Sequence, residues 1–276
     1  MDLGVICRLT QEGNPFNVVA ANGMKTAQLV NWRINMLTDE LAEKTIADLK
    51  ESGVRLAAYW AGYSGRVVWN AVDGPVTCGL VPADLRAKRV EDLKKGADFA
   101  KKIGAPAIVT HCGFIPESPR SREYVETVNA IYEVAAYCAG LGIGFWFESG
   151  QETPLTLLRT IEDLRLPNLG INLDTANMIL YGRGNPVDAL DVFGPWVRNL
   201  HIKDGVFSTN ASSLGHETAV GQGKVDFEKV IRKLYALNFD GELIIEREIS
   251  GPQQLCDIIR ARDYIQALVD LCRPLE

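Results

Sequence analysis

GFWFE at 144–148, LGINLD at 169–174, VRNLH at 197–201 and GELIIE at 241–246 are four successive apolar runs, each ending on a polar residue. The terminal residues are Glu148, Asp174, His201 and Glu246. Buried strands favour Val, Ile, Leu and Phe, so a carboxylate or an imidazole at the end of each demands a reason. Three carboxylates and one imidazole, repeated in equivalent places, point to a divalent metal site at one rim of a sheet.

The same reading extends in both directions from this core. Short apolar strand-like runs cover Leu3–Leu9, Lys25–Asn31, Val54–Trp60 and Ala107–His111. Helical periodicity fills the intervals. Thr38 opens a helix as its cap, with Leu41, Ile46 and Leu49 on one face and Gly53 as its stop. Further helices are expected at Pro15–Asn22, Leu85–Ile103 and Ser121–Leu141, from Pro154, from Asp226 to Leu237, and after Pro252. The stretches 177–181 and 186–193 read as broken helix. Two segments lack periodicity and are expected to be long loops, 61–83 and 205–224.

Eight strands alternating with about eight helices imply parallel strands joined by crossover helices. The expected fold class is α/β, a closed (β/α)8 TIM barrel, with residues 1–276 forming a single domain. No glycine-rich phosphate turn follows the first strand, which argues against a doubly wound sheet. GQGKVDF at 221–227 lacks the phosphate-loop pattern and reads as a tight turn before the Asp226 cap.

Composition narrows the function classes. The 29 basic and 35 acidic residues leave a net charge of −6, which opposes a nucleic-acid-gripping role. No apolar run reaches the roughly 20 residues of a membrane helix. The start, MDLGVICRLT, reads as a strand rather than a signal segment. The six cysteines are scattered without a C-x-x-C pair and are expected to be reduced thiols of a cytoplasmic protein.

In a barrel of this kind the strand C-termini form the active face, so the four terminal residues converge there. Their mostly oxygen donor set suits Mn²⁺ first, with Mg²⁺, Co²⁺ or Zn²⁺ admissible. His111 ends the fourth strand beside them and is a candidate for substrate binding. Lys203 shares the pleat face of His201 and reaches towards substrate oxygens or a carboxylate. Glu152, on the loop after Glu148, is a candidate hydroxyl ligand. Trp32, Trp60, Tyr63 and Trp69 fall on or near the same rim, where aromatic faces stack on sugar C–H faces or simply pack. His216 reads as a solvated loop residue.

The segments FESGQETP, NLDTAN, LHIKD, GQGKVDF and IIERE resemble the xylose isomerase-like barrels, a superfamily of sugar isomerases and epimerases. It includes ketose 3-epimerases, hydroxypyruvate isomerase, inosose dehydratase and endonuclease IV. The resemblance runs through the whole chain in strand order. It implies that Glu148, Asp174, His201 and Glu246 bind the metal, and that Glu148 and Glu246 also act as an acid/base pair. Two positions depart from the 3-epimerase pattern: Asn177 stands where a substrate-holding His is usual, and Phe207 where an Arg is usual. Isomerase, epimerase and lyase chemistry therefore all stay open. A trinuclear zinc nuclease needs more imidazoles than the three histidines present. The expected partner is a small-molecule sugar, with no nucleic acid, no membrane, and homo-oligomers common among such barrels.

Overall fold

A computed structural model describes residues 1–274. Its centre is a closed parallel barrel of strands β1 (Leu3–Arg8), β2 (Thr26–Asn31), β3 (Arg55–Ala61), β4 (Ala107–Thr110), β5 (Gly144–Glu148), β6 (Leu169–Asp174), β7 (Val197–Ile202) and β10 (Glu242–Ile245). Neighbours in sequence are neighbours in space, and β10 closes the circle by pairing Leu3 with Leu243 and Val5 with Ile245. This is the (β/α)8 architecture that the alternation implies.

The long crossover helices form an outer ring: α2 (Asp39–Ser52), α3 (Ala83–Lys102), α4 (Arg122–Gly140), α5 (Pro154–Leu164), α7 (Pro186–Phe193), α8 (Phe227–Ala236) and α9 (Pro252–Cys272). Their starts follow local chemistry. The side chains of Thr38, Ser121, Thr153, Asn185 and Asp226 each accept a backbone N–H of the first turn. Two short helices, α1 (Asn17–Ala21) and α6 (Asn177–Leu180), complete the set.

Apolar side chains divide into two separate clusters. The large one fills the layer between strands and helices, with Leu29, Phe145, Ile171, Leu200, Ile231 and Ile265 among its fully buried members. The small one comprises Ala58, Trp60 and Val109, with Val30 and Trp146 packed against it. Strand alternation puts this second cluster inside the barrel. Trp146 needs room there: a Cβ on Gly144 would lie 2.6 Å from its indole nitrogen, and one on Gly170 2.6 Å from its Cδ1.

The two expected long loops differ from each other in the structure. Residues 205–224 are not a plain loop. Strands β8 (Asp204–Val206) and β9 (His216–Thr218) pair antiparallel, with Val206 opposite His216. Three-residue strands carry too little pattern to stand out, and the pairing needs both arms. Residues 62–82 contain a 3-10 turn at Gly74–Val76 but otherwise remain a loop. It is firmly anchored. Arg89, fully buried on α3, donates to the carbonyls of Ser64, Arg66, Thr77 and Gly79. Gly79 (φ +67°) and Gly113 (φ +92°) let the loop backbone touch the segment after β4, where a Cβ at Gly79 would lie 2.0 Å from the Cys112 carbonyl. No helix among the described residues is long and apolar enough to cross a membrane. All six cysteines are unpaired.

Candidate functional site

The four strand-end residues meet at the C-terminal rim. One donor atom from each of Glu148, Asp174, His201 and Glu246 lies within 4.8 Å of the other three. Strand register explains the convergence: Asp174 pairs with His201, and Glu148 with Asn172 of the intervening strand. Glu246 sits one residue beyond β10, and its N–H still bonds the carbonyl of Ile202, which carries it on at ligand height.

The four candidate ligands are held differently. Asp174 Oδ1 accepts the N–H groups of Ala176 and Asn177 at 2.8 and 2.7 Å, whereas its buried Oδ2 has no hydrogen-bond partner. His201 Nε2 lies 2.5 Å from Gln28 Oε1. A carbonyl oxygen only accepts, so Nε2 carries a proton and Nδ1 faces the carboxylates. From Nδ1 the distances are 3.1 Å to Glu148 Oε1, 3.2 Å to Glu246 Oε2 and 3.8 Å to Asp174 Oδ2. Glu148 Oε2 accepts a short hydrogen bond from the Trp60 indole. Its Oε1 lies 3.5 Å from His111 Nε2 and 3.5 Å from Asn177 Nδ2.

Electrostatics states the same need in another form. Burial works to raise the pKa of Glu148, but the charges of His111 and His201 outweigh it and hold the carboxyl below its usual range. Asp174 and Glu246 are likewise lowered against their burial, chiefly by Lys203 and then His201. Burial disfavours an imidazolium at His201, yet Glu148 and Glu246 lift its pKa well above the ordinary value. Three buried carboxylates around one nitrogen require a positive charge between them. A proton on Nδ1 supplies one, and a divalent cation supplies it better. The orphaned Asp174 Oδ2, the single imidazole and the oxygen-rich set fit such an ion.

Other expected residues gather around this centre. Lys203, fully buried, places Nζ 3.4 Å from Glu246, 3.7 Å from Asp174 and 3.2 Å from Glu248. Burial opposes its charge, but Glu246 and Asp174 keep it protonated. Asn177 bridges Glu148 and Lys203, with Oδ1 3.5 Å from the ammonium. His111 stacks near Trp60 and Trp69, with ring centres 5.7 and 5.2 Å apart, and its buried Nδ1 has no protein partner. Trp69 also meets Trp32 at 6.0 Å, and both rings are about two-fifths exposed, at 41% and 40%. Glu152 is buried near Cys112 and Arg183, and burial pushes its carboxyl up to about 8. Phe207 and His216 are exposed on the β8–β9 hairpin.

A layer beneath the ligands escapes the sequence reading. Gln28 Nε2 donates to Asn172 Oδ1 at 3.3 Å, and Asn199 Nδ2 donates to the same oxygen at 2.5 Å. These amides turn the Gln28 carbonyl towards His201. β2 and β7 are not adjacent, so the link crosses the barrel interior. A signal exists: Asn172 and Asn199 each stand two residues before a ligand, on the same pleat face. Gln28 stands likewise between the apolar Ala27 and Leu29 of β2.

Comparison with known proteins agrees with this architecture. The family model described as "Xylose isomerase-like TIM barrel" matches residues 16–272. The crystal structure of a xylose isomerase domain protein from Planctomyces limnophilus superposes with a TM-score of 0.92 at 34% identity, covering 98% of each chain. A ketose 3-epimerase of Arthrobacter globiformis is 26% identical over 187 residues, 60% of this chain and 57% of that protein. An inosose dehydratase of Geobacillus kaustophilus is 28% identical over 167 residues, 53% of each.

Proposed function

The chain belongs to the xylose isomerase-like TIM barrel family, and we propose that it is a divalent-metal-dependent sugar isomerase or epimerase that removes a proton beside a carbonyl. The observation that carries this reading is the convergence of Asp174 Oδ2, Glu246 Oε2, Glu148 Oε1 and His201 Nδ1 on one point, with the first two lacking any hydrogen-bond donor. An ion held by these four residues, Mn²⁺ or Mg²⁺ by its donor set, would supply Lewis-acid polarisation of the carbonyl and offset negative charge beside it.

The chain's own groups do the rest. Glu246, on the more open side of the cluster, takes the proton from the carbon beside the carbonyl. Glu148 stands on the other side, steadied by Trp60, and completes an acid/base pair that returns a proton. His111 Nδ1 and the Lys203 ammonium orient substrate oxygens, with Asn177 between Glu148 and Lys203. Trp69 offers an aromatic face to the sugar C–H groups. Glu152, protonated up to about pH 8, donates to a hydroxyl rather than accepting from one. Six unpaired thiols fit a cytoplasmic setting.

A second reading uses the same base for β-elimination. It is favoured by the two residues that depart from the 3-epimerase pattern, Asn177 and Phe207, and by the similarity to an inosose dehydratase. A panel of keto-sugars in D₂O with added Mn²⁺, followed by NMR and mass spectrometry, tests both. Deuterium beside the carbonyl in an isomeric product supports the first. A product lighter by one water moves the assignment to the lyase. No solvent exchange on any keto-sugar sinks the proton-abstraction reading.

A further inference from the structure

Buried polar atoms without a partner mark places where the fold leaves room for something else. Among the described residues eleven side-chain atoms are in this state, and five of them lie at the active rim: Asp174 Oδ2, Glu246 Oε2, His111 Nδ1 and both amide atoms of Gln151. The first two face the candidate ion, and the third a substrate oxygen in the proposed reaction. Gln151 has no part in that scheme. It is 1% exposed, and among the described residues no other side chain has both polar ends bare.

Its segment presses on the site. Gln151 stands three residues beyond Glu148, between β5 and α5. A Cβ on the preceding Gly150 would lie 2.6 Å from Asn177 Cβ and 3.5 Å from Tyr181 Cδ2. Asn177 in turn reaches Glu148 and Lys203, at 3.5 Å each. On the other flank Glu152 adjoins Cys112, the residue after His111. The Tyr181 hydroxyl neighbours the Gln151 amide and feels the charges of Lys203 and Glu248. One hydroxyl, even turned onto the amide, satisfies one end and leaves the other bare.

A buried amide left in this condition destabilises the fold, and Leu or Met would fill the same space without that cost. An amide does offer what they lack, a donor and an acceptor side by side. A carboxylate or phosphate oxygen accepts from Nε2 but is repelled by Oε1. Two adjacent hydroxyls suit both ends, one accepting from Nε2 and the other donating to Oε1. Glu152 next to it is protonated up to about pH 8 and adds no charge below that. Arg183 is exposed and lies over the face of Phe114, 5.8 Å from the ring centre.

We propose that Gln151 is a specificity-determining residue that reads two adjacent hydroxyls of the substrate, outside the carbonyl and the carbon that loses its proton. This deepens the proposed function and rests on it.

The test uses the Mn²⁺-loaded wild type and Gln151→Met, which keeps the length of the side chain and removes its polar atoms. Thermal unfolding without sugar comes first. The variant should melt about 2 °C higher, because an unpaired amide has left the interior. Gln151→Leu repeats the measurement with a shorter side chain. If both variants melt lower than wild type or fail to fold, the amide serves the fold and the proposal is overturned. Solvent exchange is then followed on D-fructose, D-tagatose, D-sorbose and D-psicose, and on the monodeoxy analogues of the fastest. In a folded variant KM should rise about 10- to 100-fold at nearly constant kcat. Deleting either of two adjacent hydroxyls should cost wild type about tenfold in kcat/KM and the variant almost nothing. An unchanged KM, or no adjacent pair whose effect disappears in the variant, overturns the proposal and leaves proton abstraction standing; the amide then holds a trapped water. If none of the four sugars exchanges even in wild type, the proposed function fails for ketohexoses, and the unfolding midpoint with added D-fructose decides the role of Gln151. A midpoint raised more in wild type than in the variant upholds it, and any other pattern overturns it.

Discussion

The two halves of the barrel interior differ sharply at the same height. The half formed by β5, β6, β7 and the end of β10 carries Glu148, Asp174, His201 and Glu246, with Asn172 and Asn199 beneath them. The half formed by β2, β3 and β4 is mostly apolar, with Val30, Ala58, Trp60 and Val109. Three polar links cross from it to the candidate ligands: Gln28 to His201, and the Trp60 indole and His111 to Glu148. One half presents charge, and the other aims it. A buried carboxylate without donors is costly, so each crossing bond both satisfies a ligand and fixes its free end.

The largest expected effect comes from the charged half itself. Glu246→Gln keeps the shape but removes the base, and solvent exchange on a keto-sugar should fall by about a thousandfold with sugar binding retained. A variant with near-normal turnover would transfer the proton chemistry to another group. Next comes a change in the half that aims. Gln28→Leu removes the acceptor for His201 Nε2, and the Mn²⁺ dissociation constant should rise about 10- to 100-fold by titration calorimetry. An unchanged constant would show that ring orientation is set by packing alone.

The third expectation concerns the proton that competes with the ion. Because Glu148 and Glu246 lift the His201 pKa well above its ordinary value, this residue is protonated at neutral pH when no cation balances the carboxylates. Metal binding then releases a proton. Affinity should fall about tenfold for each pH unit lowered through the neutral range, and level off above the His201 pKa. A flat profile would mean that His201 is not a ligand. Smaller again is Trp60→Phe, which keeps the ring and deletes the N–H bonded to Glu148. It should weaken Mn²⁺ binding by about tenfold. The smallest is Trp69→Ala, expected to raise KM about fivefold at nearly constant kcat, the mark of lost stacking without lost chemistry. A kcat loss there would erase the division between the two halves.

Much of this was legible in the chain. Strand and helix alternation announced the barrel, because side-chain periodicity is a local property. The candidate ligands were legible because a carboxylate or imidazole ending a buried run has few structural uses. Helix caps such as Thr38, Ser121 and Asp226 follow from their own hydroxyl and carboxylate oxygens. The β8–β9 hairpin was missed because three-residue arms have no visible period.

By itself, then, the sequence determined the element order, the parallel barrel and the identity of the four candidate ligands, since each rests on spacing along the chain. Only the tertiary structure decided which atoms of those ligands stay free. Trp60 meets Glu148 across 88 residues, and Gln28 meets His201 across 173. The same holds for Asp204, whose partners Gly221, Gly223 and Val225 reach it only when the segment after β9 folds back over β8. Hydrogen bonds are made between points in space, and barrel closure brings together points that no local pattern connects.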